Sequence, residues 1–450
     1  MSEGPSPPAS LAATILWPLT LVAAVHLLTT PGQWLLTDQA EYILVADRLV
    51  GRGSLHLAEP GEPRRAELPW VAPAPPGEPQ RSRLMPLTSV ALAPFVLADR
   101  ALGSTRPPAD RPLVHLQGHV FVLAGLGLLG LALAKHRASA AGIAAAVVIT
   151  GLTWPVWQVS RRGGAEAIFI FLVALFALGH ARAGDGTKMH RTGVVLMSLA
   201  CALLPWGNPA GAVLAAALLG GAAAERAWTG AGPRVLTGPV LAWAASSAAL
   251  VVLWNHGYHG HWWLGGYAAH LAAPGSVIDA ASLPRGIGLH LRAIALEAGP
   301  LLAVVGAGAL AGNRRDRAAL LPPLALVGAV VLLFATFPQP EPTRRLAAAW
   351  PAWGFAAGRT FGRLRWTLAV RQAVLALAAV VGFHGFWSAE GRYHAGPGGL
   401  FYPSVVWVRL WIASAPAWQF VLPCAALVVL LVVAAGKTSR LLAVDEPVHG

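Results

Sequence analysis

Cysteine, lysine and acidic residues are all scarce in this chain, and each scarcity removes a class of protein. Only two cysteines occur in 450 residues, Cys201 and Cys424, both inside apolar runs. That excludes a disulfide framework and a thiolate metal cluster. Charged residues make up 12% of the chain, too few to clothe a soluble protein of this length. Lysine appears only at 135, 188 and 437, so the formal charge of +13 is carried by arginine. On a soluble protein that excess would point to nucleic acid. Here the arginines sit in short stretches between apolar runs, as on the cytoplasmic loops of membrane proteins, and no nucleic-acid partner is expected. No Walker, Rossmann or zinc-peptidase pattern occurs, and no solenoid repeat. The run from Leu11 to Thr30 lacks a basic leader and a small-residue cleavage site, so it reads as a retained first span.

What the chain has in abundance is apolar sequence, 56% of its residues. Runs of membrane-spanning length fall at about 11–30, 113–134, 138–157, 164–181, 192–206, 209–224, 235–254, 299–312, 318–336, 345–358, 368–387 and 416–435. The fold class is therefore an all-α polytopic membrane protein, with about twelve transmembrane helices. Pro205, Gly207 and Pro209 break the stretch 192–224 into a tight hairpin. With the N-terminus inside, sixteen basic residues fall on inner loops and the tail. Eight fall on the outer side, its long first loop excepted. The expected location is integral to a bacterial inner membrane, and this bias predicts that both termini are cytoplasmic. It also predicts that "MPLTSVALAPFVLADRAL" (85–102) does not cross, but lies as an interfacial or re-entrant helix.

The expected organisation follows. Residues 1–30 are the N-terminus and first span, and 31–112 an external loop with amphipathic and re-entrant helices. Spans occupy 113–254, an external His/Trp loop 255–298, further spans 299–387, an external aromatic loop 388–415, and the last span and tail 416–450. The Pro-rich stretch "EPGEPRRAELPWVAPAPPGEPQRSR" is expected to be an irregular cover.

One short stretch, "LLTDQAEYILVADRLVGRG" (35–53), places two carboxylates at the mouth of the first span. Tyr42, Val45, Ala46, Leu49 and Val50 recur at helical spacing, and Gly51 and Gly53 end the pattern. Asp38 and Glu41 stand as an N-cap and its third successor, a capping-box arrangement. Capping would lower the basicity of Asp38, so a cap and a base are competing readings of one residue. A second centre is "NHGYHGHWW": His256, His259 and His261 have metal-ligand character, with Glu297 or Asp279 to complete a site. Against this, Gly257 and Gly260 interrupt any helical face, and Tyr258, Trp262 and Trp263 suit an interfacial aromatic belt.

The order Asp38, Tyr42, Ala46, Leu49, Gly53, Leu55 resembles the first external loop of the GT-C superfamily of membrane glycosyltransferases. "RLMPLTSVALAPFVLADRALG", "GGAEAIFIFLVALFALGHARA" with Glu166, and "LLPWGNPAGAVLAAALL" are similar to segments that follow it there. In this chain the acidic pair is separated as "DQAE", and Met85-Pro86-Leu87 stands where a Pro-Gly is usual. The resemblance implies a polyprenyl-phosphate sugar as lipid partner and an inverting transfer on the external face. Asp38 would be the general base, backed by Glu41. Cations for the phosphate would come from Arg161, Arg162, Arg344 and Arg345, with Arg83 and Arg81 also near the loop. The alternative reading of each arginine pair is a helix-end residue reaching for lipid headgroups. A monophosphate donor requires no metal, so no cofactor is expected; a divalent ion on the histidines is the alternative. A catalytically inactive structural subunit with protein partners, or a transporter, are the competing functions. A transporter is expected to show broken helices and charged groups near the membrane midplane, whereas these spans read as almost free of charge.

Overall fold

The computed structural model describes residues 11–28, 37–63, 76–104, 107–108, 111, 113–183, 191–230, 234–262, 283–311, 313–334, 346–361, 372 and 374–382. These residues are overwhelmingly helical. In chain order the helices are α1 (Leu11–Leu28), α2 (Thr37–Arg52), α3 (Pro86–Ala101), α4 (Gln117–Lys135), α5 (Ala140–Leu152), α6 (Trp154–Arg162) and α7 (Ala165–Ala183). They continue with α8 (Arg191–Gly207), α9 (Ala210–Thr229), α10 (Arg234–His259), α11 (Leu283–Ala311), α12 (Arg314–Ala318), α13 (Leu321–Phe334) and α14 (Trp350–Phe361). Among the described residues, five helices are long and apolar enough to cross a membrane, and a sixth span results if α5 and α6 are counted together. The protein is integral to a membrane.

Helix α7 forms the centre. All but three of its side chains are buried, Glu166 included, and α4 and α8 pack along it. The 192–224 stretch forms the hairpin of α8 and α9, with Pro205 inside the first helix and the turn at Asn208-Pro209. Helix α11 begins at Leu283, well inside the segment expected as an external loop. Its first turns, "LPRGIGLHL", lack the length of apolar run that a hydropathy reading requires. The expected last span and the 388–415 loop lie outside the described residues.

The expected span 138–157 is not one helix. Its α5 and α6 meet at an angle of 65°, and Pro155 explains the break. Proline has no N–H to return to the carbonyl four residues earlier, which here belongs to Gly151. His26 of α1 supplies the missing donor, Nε2–H to the Gly151 carbonyl at 2.8 Å. That bond fixes the tautomer of a neutral imidazole, so Nδ1 accepts from the Ser160 hydroxyl at 2.9 Å. Ser160 Oγ in turn accepts from His119 Nδ1–H at 2.8 Å. Three helices are thereby tied to the kink by a directed chain of buried hydrogen bonds. Gly118 permits the closeness, since a Cβ there would lie 2.4 Å from the Ser160 carbonyl oxygen.

Two ring nitrogens lose their partner if Ser160 becomes alanine. Ser160→Ala is expected to lower stability by about 1–3 kcal/mol for each orphaned group. Ser198→Ala provides the control, because the buried Ser198 hydroxyl makes no hydrogen bond. Thermal unfolding in detergent should show a clear drop for the first and near-parity for the second.

Candidate active site

Helix α2 and the segment after it build the site. Tyr42, Ile43, Val45 and Ala46 are buried, which turns the other side of the first turn toward the chain that follows β2. Helix α2 lies against α3 and against a small antiparallel hairpin, β1 (His56–Ala58) with β2 (Gln80–Arg81), in which His56 faces Arg81. The sequence pattern gave no sign of this hairpin, because two and three residues are too short to show alternation. It delivers Ser82 and Arg83 onto the carboxylates.

Glu41 is completely buried. Its Oε1 accepts from the Ser82 hydroxyl at 2.7 Å and from the Arg83 backbone N–H at 2.8 Å. Its Oε2 accepts from Arg83 Nε at 3.2 Å. Arg83 Nη2 then donates to Asp38 Oδ1 at 2.5 Å. The side chain of Asp38 remains 28% exposed. One guanidinium thus bridges a sealed carboxylate and an accessible one, the fork geometry that favours arginine over lysine.

The capping-box expectation is corrected here. Helix α2 begins at Thr37, so Asp38 is already a helical residue of the first turn, and Glu41 spends its carboxylate on Ser82 and Arg83. Asp38 still benefits from the positive end of the helix dipole. The stop signal also shifts: Gly51 is helical, and its missing Cβ leaves room for the Arg100 guanidinium, 2.9 Å from where that carbon would lie. Gly53, with φ +67°, is the residue that ends the helix.

Burial pushes the Glu41 carboxyl above its ordinary value, outweighing the Ser82 and Arg83 hydrogen bonds that act the other way. A raised carboxyl favours the folded state while protonated. Its contribution is therefore intact below about 4.5, the ordinary value, and is lost as pH climbs through the raised folded value. Glu41→Gln removes the titrating group. Melting temperatures measured from pH 4.5 to 8 should fall less steeply for this variant than for the wild type.

A second ionic cluster holds α2 to α3. Asp47 Oδ1 accepts from Arg100 Nη2 at 2.8 Å and Arg111 Nη1 at 2.6 Å. Asp99 accepts the backbone N–H groups of Leu113 and Val114 at 3.1–3.2 Å, starting the short 3-10 turn Leu113–Leu116 that leads into α4. Burial raises its carboxyl above the usual range, against those two bonds and the nearby Arg111. None of these partnerships was visible in the sequence, since they join residues 14 to 64 apart.

The remaining candidates are distributed differently. Arg161 is 5% exposed and lies within electrostatic reach of His26 and His119. It is the penultimate residue of α6 and is buried there. The Arg162 side chain, Arg344 and Arg345 lie outside what the structure describes. Arg81 stacks over the Tyr258 ring, 5.9 Å from its centroid. His256 stacks on Trp262 at 3.8 Å, and His259 meets the edge of Tyr258 at 4.7 Å. Among the described residues no three His, Cys, Asp or Glu side chains converge to hold a metal; Asp279 lies outside the described residues. The spans also carry more polarity than expected. Glu225 of α9 accepts from His180 Nε2–H at 2.9 Å and Arg359 Nη1 at 3.1 Å, joining α7, α9 and α14.

This helical bundle shares its fold with the solved structures of ArnT from Cupriavidus metallidurans. The structure of ArnT from Cupriavidus metallidurans bound to undecaprenyl phosphate matches it with a TM-score of 0.55. That match has 15% identity over 96% of this chain and 77% of that one. The same enzyme in the apo state matches with a TM-score of 0.55 and 14% identity, over 96% of this chain and 75% of that one. The apo Archaeoglobus fulgidus oligosaccharyltransferase gives a TM-score of 0.48 and 13% identity, over 90% of this chain and 59% of that one. No protein-family model matches the chain, and no curated protein sequence matches it.

Proposed function

We propose that this protein is a membrane glycosyltransferase that takes a sugar from a polyprenyl-phosphate donor and passes it to an acceptor hydroxyl with inversion. The observation that carries the reading is the pairing of an exposed and a sealed carboxylate on a GT-C fold. Asp38 is the group an acceptor can touch, and Glu41 with Arg83 holds it in place. Asp38 takes the hydroxyl proton as the acceptor oxygen attacks the anomeric carbon. The bond from that carbon to the phosphate oxygen breaks, and the polyprenyl phosphate departs as an anion. Arginine stabilises the departing charge, with Arg83 nearest the base. Arg161, Arg162, Arg344 and Arg345 are the further donors in this reading. No metal is needed for a monophosphate leaving group. The reaction takes place on the external face of about twelve spans, with both termini cytoplasmic, in a bacterial inner membrane.

A structural subunit is the second reading, and one observation favours it: Asp38 and Arg83 already satisfy each other at 2.5 Å. A transporter is the third reading, for which the α5–α6 break and the part-buried cluster of Glu225, His180 and Arg359 speak, although the carbonyl freed at that break is closed by His26.

The test reconstitutes purified protein with a polyprenyl-phosphate lipid extract from its own membranes and an acceptor fraction. Mass spectrometry follows the donor lipids. An enzyme converts a sugar-bearing species into the bare lipid phosphate, and this stops in Asp38→Asn. Unchanged donor lipids in the wild type would favour the structural subunit.

A further inference from the structure

We propose that Tyr258, at the end of α10, is a positioning residue for the Asp38–Arg83 pair, locking the hairpin that delivers Arg83 to the carboxylates. The inference rests on Asp38 and Arg83 being the reacting site, and it gives the "HGYHGHWW" motif a role other than metal binding.

Tyr258 holds both strands of the hairpin. Its hydroxyl donates to the Leu55 carbonyl at 2.9 Å, a contact across 203 residues of sequence. Its ring stacks on His56 of β1, with centroids 5.5 Å apart, and carries the Arg81 guanidinium of β2 on its face at 5.9 Å. That distance lies at the edge of cation–π range. Arg81, Ser82 and Arg83 are consecutive, so the Arg81 contact with the Tyr258 ring lies two residues from the guanidinium that bridges Glu41 and Asp38.

The tyrosine is itself anchored. Trp254, one turn earlier, stacks on it at 4.9 Å, and Trp206 of α8 meets Trp254 at 6.1 Å. Trp206 is fixed by Nε1–H donation to the Ser247 hydroxyl at 3.0 Å. An aromatic column therefore runs from the α8–α10 contact to the strand pair and ends on the backbone just before β1. Phenylalanine would keep the ring contacts but leave the part-buried Leu55 carbonyl without its hydroxyl donor.

The consequence is local and can be read at Glu41. This carboxylate is sealed only while Ser82 and Arg83 stay on it, whereas Glu225 is sealed by α7 and α14. Protein in detergent is treated with a water-soluble carbodiimide and an amine, and labelled peptides are quantified by mass spectrometry. The wild type should take label at Asp38 and exclude it from Glu41 and Glu225. Tyr258→Phe should raise Glu41 labelling about tenfold and leave Glu225 protected, with a larger rise in Tyr258→Leu. Unchanged protection of Glu41 in both variants would overturn the proposal. So would a parallel rise at Glu41 and Glu225, which would mean that Tyr258 serves only overall stability. An Asp38→Asn variant that still transfers sugar would instead remove the proposed function and leave the labelling result standing.

Discussion

Asp38→Asn is expected to abolish sugar transfer while the protein inserts and folds as before. The amide is close to isosteric and still offers an oxygen to Arg83, so the bridge to Glu41 is kept in shape. What it lacks is a lone pair basic enough to take the acceptor proton. Removing a general base typically slows a reaction by about 10² to 10⁴. The loss should fall within that range or below detection. The stability change should stay under about 1 kcal/mol, because a part-exposed ion pair contributes little. Turnover of the donor lipid and a thermal melt, measured on the same preparation, separate the two effects. Asp38→Glu is informative beside it: the base is retained but its carboxylate is displaced by one methylene, and a partial loss is expected.

Arg83→Met should have the other large effect, on both stability and lipid binding. The methionine fills much of the volume, but Glu41 keeps only the Ser82 hydroxyl and one backbone N–H. A buried carboxylate deprived of its cation is strongly destabilising, although it can escape by taking a proton. Stability at neutral pH is therefore expected to fall by about 1–3 kcal/mol, and to recover as the pH is lowered toward the ordinary carboxylate value. The direction follows from the raised Glu41 carboxyl: removing Arg83 raises it further and widens the range over which the folded state prefers the protonated form. Thermal melts at pH 5 and pH 7.5 give the comparison. Arg83→Lys should restore part of the stability, since it returns the charge but not the two-pronged geometry.

The sequence made the carboxylates of α2 legible, and for a physical reason. Asp38 and Glu41 stand out because the chain as a whole is poor in charge and they directly follow an apolar run, and the Tyr42, Val45, Ala46 spacing placed them on a helix. The same spacing could not separate a cap from a base, since helix starts are set by contacts one or two residues beyond the pattern. Arg83 was visible only as one arginine among several in a Pro-rich segment. Its distinction comes from a hairpin of a few residues and from Ser82, which no periodicity marks. Pro155 was in plain view, yet the kink depends on His26, more than a hundred residues away, to close the carbonyl that proline abandons. Hydropathy also gave no sign that α11 starts as early as Leu283. A helix that is polar at one end fails a window average, although Ile294, Leu301 and Val304 show it packed into the core. Long-range partnerships of this kind, Tyr258 with Leu55 above all, are properties of the folded bundle and leave no local trace.

Native mass spectrometry of the protein, purified gently from its own membranes, tests the central claim most directly. The account predicts a co-purifying lipid whose mass equals a polyprenyl phosphate, with or without one sugar, retained by the wild type and depleted in Arg83→Met. The sugar would be named by the mass difference. A protein that carries no polyprenyl phosphate, and instead leaves the membrane in a fixed ratio with another polypeptide, would contradict the account and establish a structural subunit.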